Sequence, residues 1–214
     1  GWAHVGALKV LHAAGLPVDL IVGASAGALI GPLYAARRDA AEAERIAMGF
    51  TPSDFVQWFL NDLRLSPSAG RIGQRLWNAY GRLDFGEIDV PFAALALDLG
   101  DGGPAVLRAG NVGRAVEASI RPPLIMRPVW HGDSPLVDGG LHSTVPVSVA
   151  RELGADLVVS VNVGELLVLP RRLRPLSARV SAACAARPGP AAGVRGQVGF
   201  LAGLVSRVRP PRPR

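Results

Sequence analysis

The five residues Gly23-Ala24-Ser25-Ala26-Gly27 constrain the fold of this chain more than any other segment. They follow Leu20-Ile21-Val22 and lead straight into the small, apolar stretch from Ala28 to Ala36. A strand that turns at once into a helix forces its corner residue into a strained conformation, and glycines two positions either side leave room for the turn. The expected product is a nucleophile elbow, with the Ser25 hydroxyl exposed on a rigid support. The helix N-terminus behind it would favour negative charge developing there. A lone serine between a strand and a helix is ordinarily no more than a helix cap, and the flanking glycines tilt this one toward nucleophile.

The surrounding sequence alternates helices and strands. Val5, Leu8 and Leu11 recur at helical spacing over residues 3–14, closed by Gly15 and Pro17. Leu20 to Gly23 reads as a short buried strand. The apolar run from Leu20 to Ala36 contains Gly23, Ser25, Gly27, Gly31 and Pro32 and is shorter than the ~20 residues a membrane span needs. Residues 39–48 and 51–63 predict two more helices, the second opened by Thr51 as cap and Pro52 at its first position. Phe55, Trp58 and Phe59 read as core or cap packing beside the site. Strands are expected at Phe92 to Leu97 and, after the Asp101-Gly102-Gly103 turn, at Ala105 to Ala109. A helix capped by Asn111 should run to Ser119, and Val129-Trp130 and Leu136-Val137 suit strands flanking a turn from His131 to Pro135. A helix from Pro146 to Leu153 and a buried strand from Asp156 to Val163 complete the series. Helices alternating with continuous apolar strands predict an α/β fold: a mainly parallel central sheet with helices on both faces, a three-layer sandwich.

Composition divides the chain. All 17 acidic residues lie at or before Glu165, whereas ten of the 23 basic residues follow position 170. That leaves 13 basic against 17 acidic residues in 1–170, a net charge of −4, and +10 in 171–214. The expected organisation is one domain over 1–170 and a poorly ordered tail rich in Arg, Ala and Pro over 171–214. The tail could be a solvated extension, or could bring anionic lipid close at ~1 kcal/mol per Arg near the surface. No motif supports specific nucleic-acid binding. The single cysteine, Cys184, excludes an internal disulfide and fits a cytoplasmic setting. The four histidines show no metal-ligand spacing.

A serine hydroxyl needs a neighbouring base, and a carboxylate within ~2.6–3.2 Å can serve. On the residues alone, Asp138-Gly139-Gly140 reads as a turn, as Asp101-Gly102-Gly103 does. His142, four residues beyond Asp138, meets the Ser, acid, His order of a triad hydrolase, an order easily met by chance. His4 and His12 read as helix-surface or interface residues.

Four segments together resemble patatin-like phospholipases: Gly1-Trp2-Ala3-His4-Val5-Gly6-Ala7-Leu8, the elbow, Glu117-Ala118-Ser119 with Pro123 and Pro128, and Val137-Asp138-Gly139-Gly140. Their order and spacing match that family over roughly residues 1–165. The resemblance implies lipid acyl hydrolysis by a dyad, with Ser25 as nucleophile, Asp138 as base, and no catalytic histidine or cofactor. It also implies Gly1 and Ala26 as oxyanion or site-loop positions and Gly23, Gly27, Gly139 and Gly140 as motif glycines. In the family a strand and a loop of the form Gly-Gly-Gly-x-Arg-Gly precede Trp2-Ala3-His4 and supply oxyanion donors. Only its last glycine, Gly1, is present, so the sequence is expected to be truncated relative to the family. Ile120, Arg121 and Leu124 stand where the family usually has small residues. The expected partner is a lipid substrate, with peripheral membrane contact through the arginine-rich tail. The competing expectations are an inactive fragment acting as a membrane-associated binding module, and a triad esterase using His142.

Overall fold

The computed structural model describes residues 2–51, 53–54, 78–123 and 126–163. Its elements are α1 (Trp2–Ala13), β1 (Ile21–Ala24), α2 (Ala26–Ala35), α3 (Ala40–Ala47), β2 (Phe92–Asp98), β3 (Pro104–Leu107), α4 (Val112–Ser119), β4 (Val129–His131), β5 (Ser134–Asp138) and α5 (Val147–Glu152). Local chemistry sets several boundaries. Asp39 caps α3 by accepting from the amides of Ala41 and Glu42, and Asn111 caps α4 by accepting from Arg114. Gly154 ends α5 at φ 97°, where a side chain would be strained. Gly102 likewise turns the β2–β3 hairpin at φ 77°.

The chain adopts the expected α/β class, a sheet layered with helices. β2 is the spine. On one edge it pairs antiparallel with β3, and on the other it meets two strands in succession. β1 runs parallel along Phe92 to Leu95, and β5 runs antiparallel along Ala96 to Asp98, with β4 outside β5. The side-chain period of two assigns the faces. Phe92 and Ala94 join a core with α1 to α4, including Val5, Ala28, Leu33, Ala43 and Val116, and Ala96 continues that face onto Ala118 of α4. Leu95 points to the opposite face, where it packs with Ala24 and Val149 of α5. A spine buried on both faces explains its unbroken apolar run, Phe-Ala-Ala-Leu-Ala-Leu.

Residues 156–163 depart from the expected buried strand. Among the described residues they pair with no strand, and Leu157 and Val159 are 82% and 63% exposed. The segment lies across a cavity of about 680 Å³ from the outer edge of β1, which has no strand partner among the described residues. The run Leu-Val-Val-Ser-Val has β propensity, but propensity yields no strand without a partner edge. Most of the helix expected over 51–63, the aromatic residues Phe55, Trp58 and Phe59, and the tail 171–214 lie outside the described residues. Among the described residues no helix is long and apolar enough to cross a membrane.

Candidate active site

The spine's register brings the site together. Ala24, the last residue of β1, is opposite Leu95, and Asp138, the last residue of β5, is opposite Ala96. Two strands running in opposite directions along one edge of β2 therefore end at adjacent positions. Ser25 leaves one end and Asp138 occupies the other. They are 113 residues apart in sequence, and the Ser25 Oγ donates a 2.8 Å hydrogen bond to Asp138 Oδ2.

Ser25 occupies the corner between β1 and α2 at φ 52°, ψ −116°, one of two described non-glycine residues at positive φ. Such a conformation costs ~1–3 kcal/mol and persists only where the surroundings over-determine it. Although Ser25 sits at the N-cap position, its side chain makes no capping bond. The hydroxyl is committed to Asp138 instead, and the first amides of α2, from Ala26 onward, have no acceptor within the helix. Gly23 is sterically required, because a Cβ there would fall 2.5 Å from the backbone of Gly27 and Ala28. Gly27 is not, since a Cβ there would meet only His4 Nε2 at 3.8 Å. The elbow thus needs one of its two glycines for space, and His4, read from sequence as a surface or interface residue, lies beside the other.

Asp138 is held on three sides. Its amide donates to Arg121 O at 2.8 Å, its Oδ1 accepts from Gly140 N at 2.8 Å, and its Oδ2 accepts from Ser25. Burial pushes its carboxyl above the ordinary carboxylate value, against the opposing pull of the Ser25 and Gly140 hydrogen bonds. A carboxylate so raised is a stronger base. Gly139 is the glycine that the turn cannot replace, because a Cβ there would lie 1.9 Å from Leu95 O. At Gly140 a Cβ would come 3.0 Å from Asp138 Oδ1 and 3.7 Å from the Ser25 Cβ, crowding the pair rather than the sheet.

No imidazole stands between serine and carboxylate. His142 follows the short turn Gly139–Leu141, and its buried Nδ1 has no hydrogen-bond partner among the described residues. Gly1 lies outside the described residues, so Ala26 is the described member of the two expected oxyanion positions. One residue of the site was missed as such by sequence reasoning. Ser119, quoted only as part of a motif, is fully buried, accepts from Ser25 N at 3.1 Å and donates to Leu95 O at 2.6 Å. A serine ending an amphipathic helix carries no local signal of such a contact.

In an elbow serine hydrogen-bonded to a buried carboxylate, the carboxylate can take the hydroxyl proton, and the helix N-terminus beside it favours an oxyanion. Residues 1–151 match the family described as "Patatin-like phospholipase". The chain is 32% identical over 171 residues to a protein of Aspergillus fumigatus named lysophospholipase nte1, with 78% of the chain and 11% of that protein aligned. It is 30% identical over 174 residues to human patatin-like phospholipase domain-containing protein 6, covering 77% of the chain and 12% of the relative. Neuropathy target esterase sws of Drosophila melanogaster is 29% identical over 175 residues, again 77% and 12%. The chain therefore spans about an eighth or less of the length of these relatives.

Proposed function

The chain belongs to the patatin-like phospholipase family, and on that premise we propose that it hydrolyses carboxylic ester bonds of phospholipids or related lipids through Ser25 and Asp138. The observation carrying this reading is the direct 2.8 Å hydrogen bond from the Ser25 hydroxyl to the Asp138 carboxylate.

In the proposed sequence, Ser25 Oγ attacks the ester carbonyl while its proton passes to Asp138 Oδ2. The carbonyl oxygen becomes an oxyanion facing the free amides at the start of α2, with Ala26 as the first donor. Collapse of the tetrahedral intermediate breaks the bond to the alcohol oxygen, which takes the proton from Asp138 and leaves. The acyl group remains on Ser25. A water then gives a proton to Asp138 and its oxygen to the acyl carbon, and the proton returns to Ser25 Oγ as the fatty acid departs. One carboxylate serves both halves, which suits a group whose buried position raises its basicity.

The names of the relatives favour lysophospholipids as the first substrates to try, with diacyl phospholipids beside them. The +10 charge of residues 171–214 would draw the chain to anionic vesicles at low salt and release it at high salt. The test is fatty-acid release from mixed phospholipid and lysophospholipid vesicles by the wild type and by Ser25→Ala, both checked for folding by circular dichroism. Release that disappears in Ser25→Ala is the expected result. No release from well-folded wild type would replace this reading with a lipid-binding role.

A further inference from the structure

β1 pairs with β2 through a ladder that stops one rung early. Ile21 N donates to Pro91 O at 2.9 Å, and in a parallel ladder the same edge of the strand donates again every second residue. Two further steps bring the count to Ser25 N and Leu95 O. That rung is not made directly. The Ser119 hydroxyl is interposed, accepting from Ser25 N at 3.1 Å and donating to Leu95 O at 2.6 Å. Ser119 is 0% exposed and ends α4, so the bridge is supported by the packed core.

We propose that Ser119 is a positioning residue for the Ser25 nucleophile: its hydroxyl holds the elbow one rung off β2 and thereby keeps Ser25 in its strained conformation against Asp138. The inference rests on the proposed roles of Ser25 and Asp138. With the hydroxyl in place, both Ser25 N and Leu95 O are satisfied while the backbone at Ser25 stays at φ 52°. Without it, both groups lose their partner, and the cheapest way to satisfy them is to close the rung directly. Closing it draws the Ser25 backbone toward β2, where φ returns to the extended range and Oγ leaves the line to Asp138. The same short segment fixes the other member of the pair, because Arg121 O, two residues on, accepts from Asp138 N at 2.8 Å. Residues 119–121 thus hold the nucleophile with a side chain and the base with a carbonyl.

A displacement of this kind alters alignment without touching substrate, so kcat falls and KM does not. The experiment compares wild type, Ser119→Ala, Ser119→Cys and Ser119→Thr on a short-chain chromogenic ester, with kcat, KM and the pH profile measured on protein shown folded by circular dichroism. Expected results are a ~10- to 100-fold loss of kcat in Ser119→Ala with KM within about twofold, and recovery of most of that loss in Ser119→Thr, which restores the hydroxyl. The acid limb of the profile should move to higher pH, since Asp138 loses the Ser25 hydrogen bond that pulls its pKa down. Native kcat in folded Ser119→Ala overturns the proposal, as does an equal loss in KM. Should the Ala variant not fold, Ser119→Cys carries the decision, and native kcat there overturns it too. If neither folds while Ser119→Thr is native in every respect, the hydroxyl is structural and the proposal falls. Absence of Ser25-dependent turnover in the wild type is a different outcome, which removes the functional reading on which this one stands.

Discussion

Replacing Asp138 with Asn separates the chemistry of the carboxylate from its cost to the fold. The substitution keeps the shape of the side chain and, through Oδ1, the hydrogen bond from Gly140 N. It exchanges the Oδ2 that accepts from Ser25 for an amide that donates, so the serine proton has nowhere to go. Loss of a positioned general base costs ~10²- to 10⁴-fold in rate. The effect on stability has the opposite sign. Burial raises the pKa of Asp138, so the folded chain holds that proton at pH values where the unfolded chain, with a carboxyl pKa of ~3.9, has released it. Stability from this group is therefore complete below the unfolded pKa and is lost as pH climbs to the folded one. Each unit between the two corresponds to ~1.4 kcal/mol. The Asn variant does not titrate. Its Tm relative to wild type should rise across that window and level off above it, by ~2–4 °C for each kcal/mol in a domain of this size. Ester hydrolysis at pH 8 and thermal unfolding at a series of pH values from 4 to 8 measure both effects. Fresh protein is needed, because an Asn followed by Gly139 deamidates back to the acid. A Tm difference that is flat or shrinks with rising pH would refute the burial argument, and a rate near wild type would refute the base assignment.

Further predictions concern the glycines, the histidine and the acid limb. Gly23→Ala and Gly139→Ala should each lower Tm sharply or prevent folding, because their methyl groups meet backbone at 2.5 and 1.9 Å. Gly27→Ala, with only His4 Nε2 at 3.8 Å, should fold with Tm within a few degrees of wild type. His142→Ala should keep kcat within about threefold, since general-base catalysis is worth ~10²-fold or more and the serine proton goes to Asp138 rather than to an imidazole. A loss beyond ~100-fold in folded protein would restore the triad. The kcat/KM of wild type should fall on the acid side with a midpoint above the ordinary ~3.9 of a carboxyl group, following the raised Asp138.

Much of this architecture was legible in the residues because it is local. The elbow is written as strand, Gly-Ala-Ser-Ala-Gly and helix in one continuous stretch, and caps such as Asp39 and Asn111 act within three residues of themselves. Asp138 was legible only through its resemblance to a family motif, since on its own Asp138-Gly139-Gly140 is indistinguishable from the Asp101-Gly102-Gly103 turn. What separates them is register: β5 ends against Ala96 where β1 has just ended against Leu95. Ser119 was hidden for the same reason, because its partners are 94 and 24 residues away. Residues 156–163 failed in the other direction. Their apolar run reads as a buried strand, but a strand is a property of a pair of edges, and among the described residues these pair with none.

The most direct test of the central claim is covalent trapping. Wild-type protein is treated with a fluorophosphonate, which phosphonylates activated serines with loss of fluoride, then digested and mapped by mass spectrometry alongside Ser25→Ala and Asp138→Asn. The account predicts one adduct, on Ser25, absent in Ser25→Ala and formed ~10²-fold or more slowly in Asp138→Asn. An adduct on another serine, or labelling of Ser25 at an undiminished rate in Asp138→Asn, would contradict it.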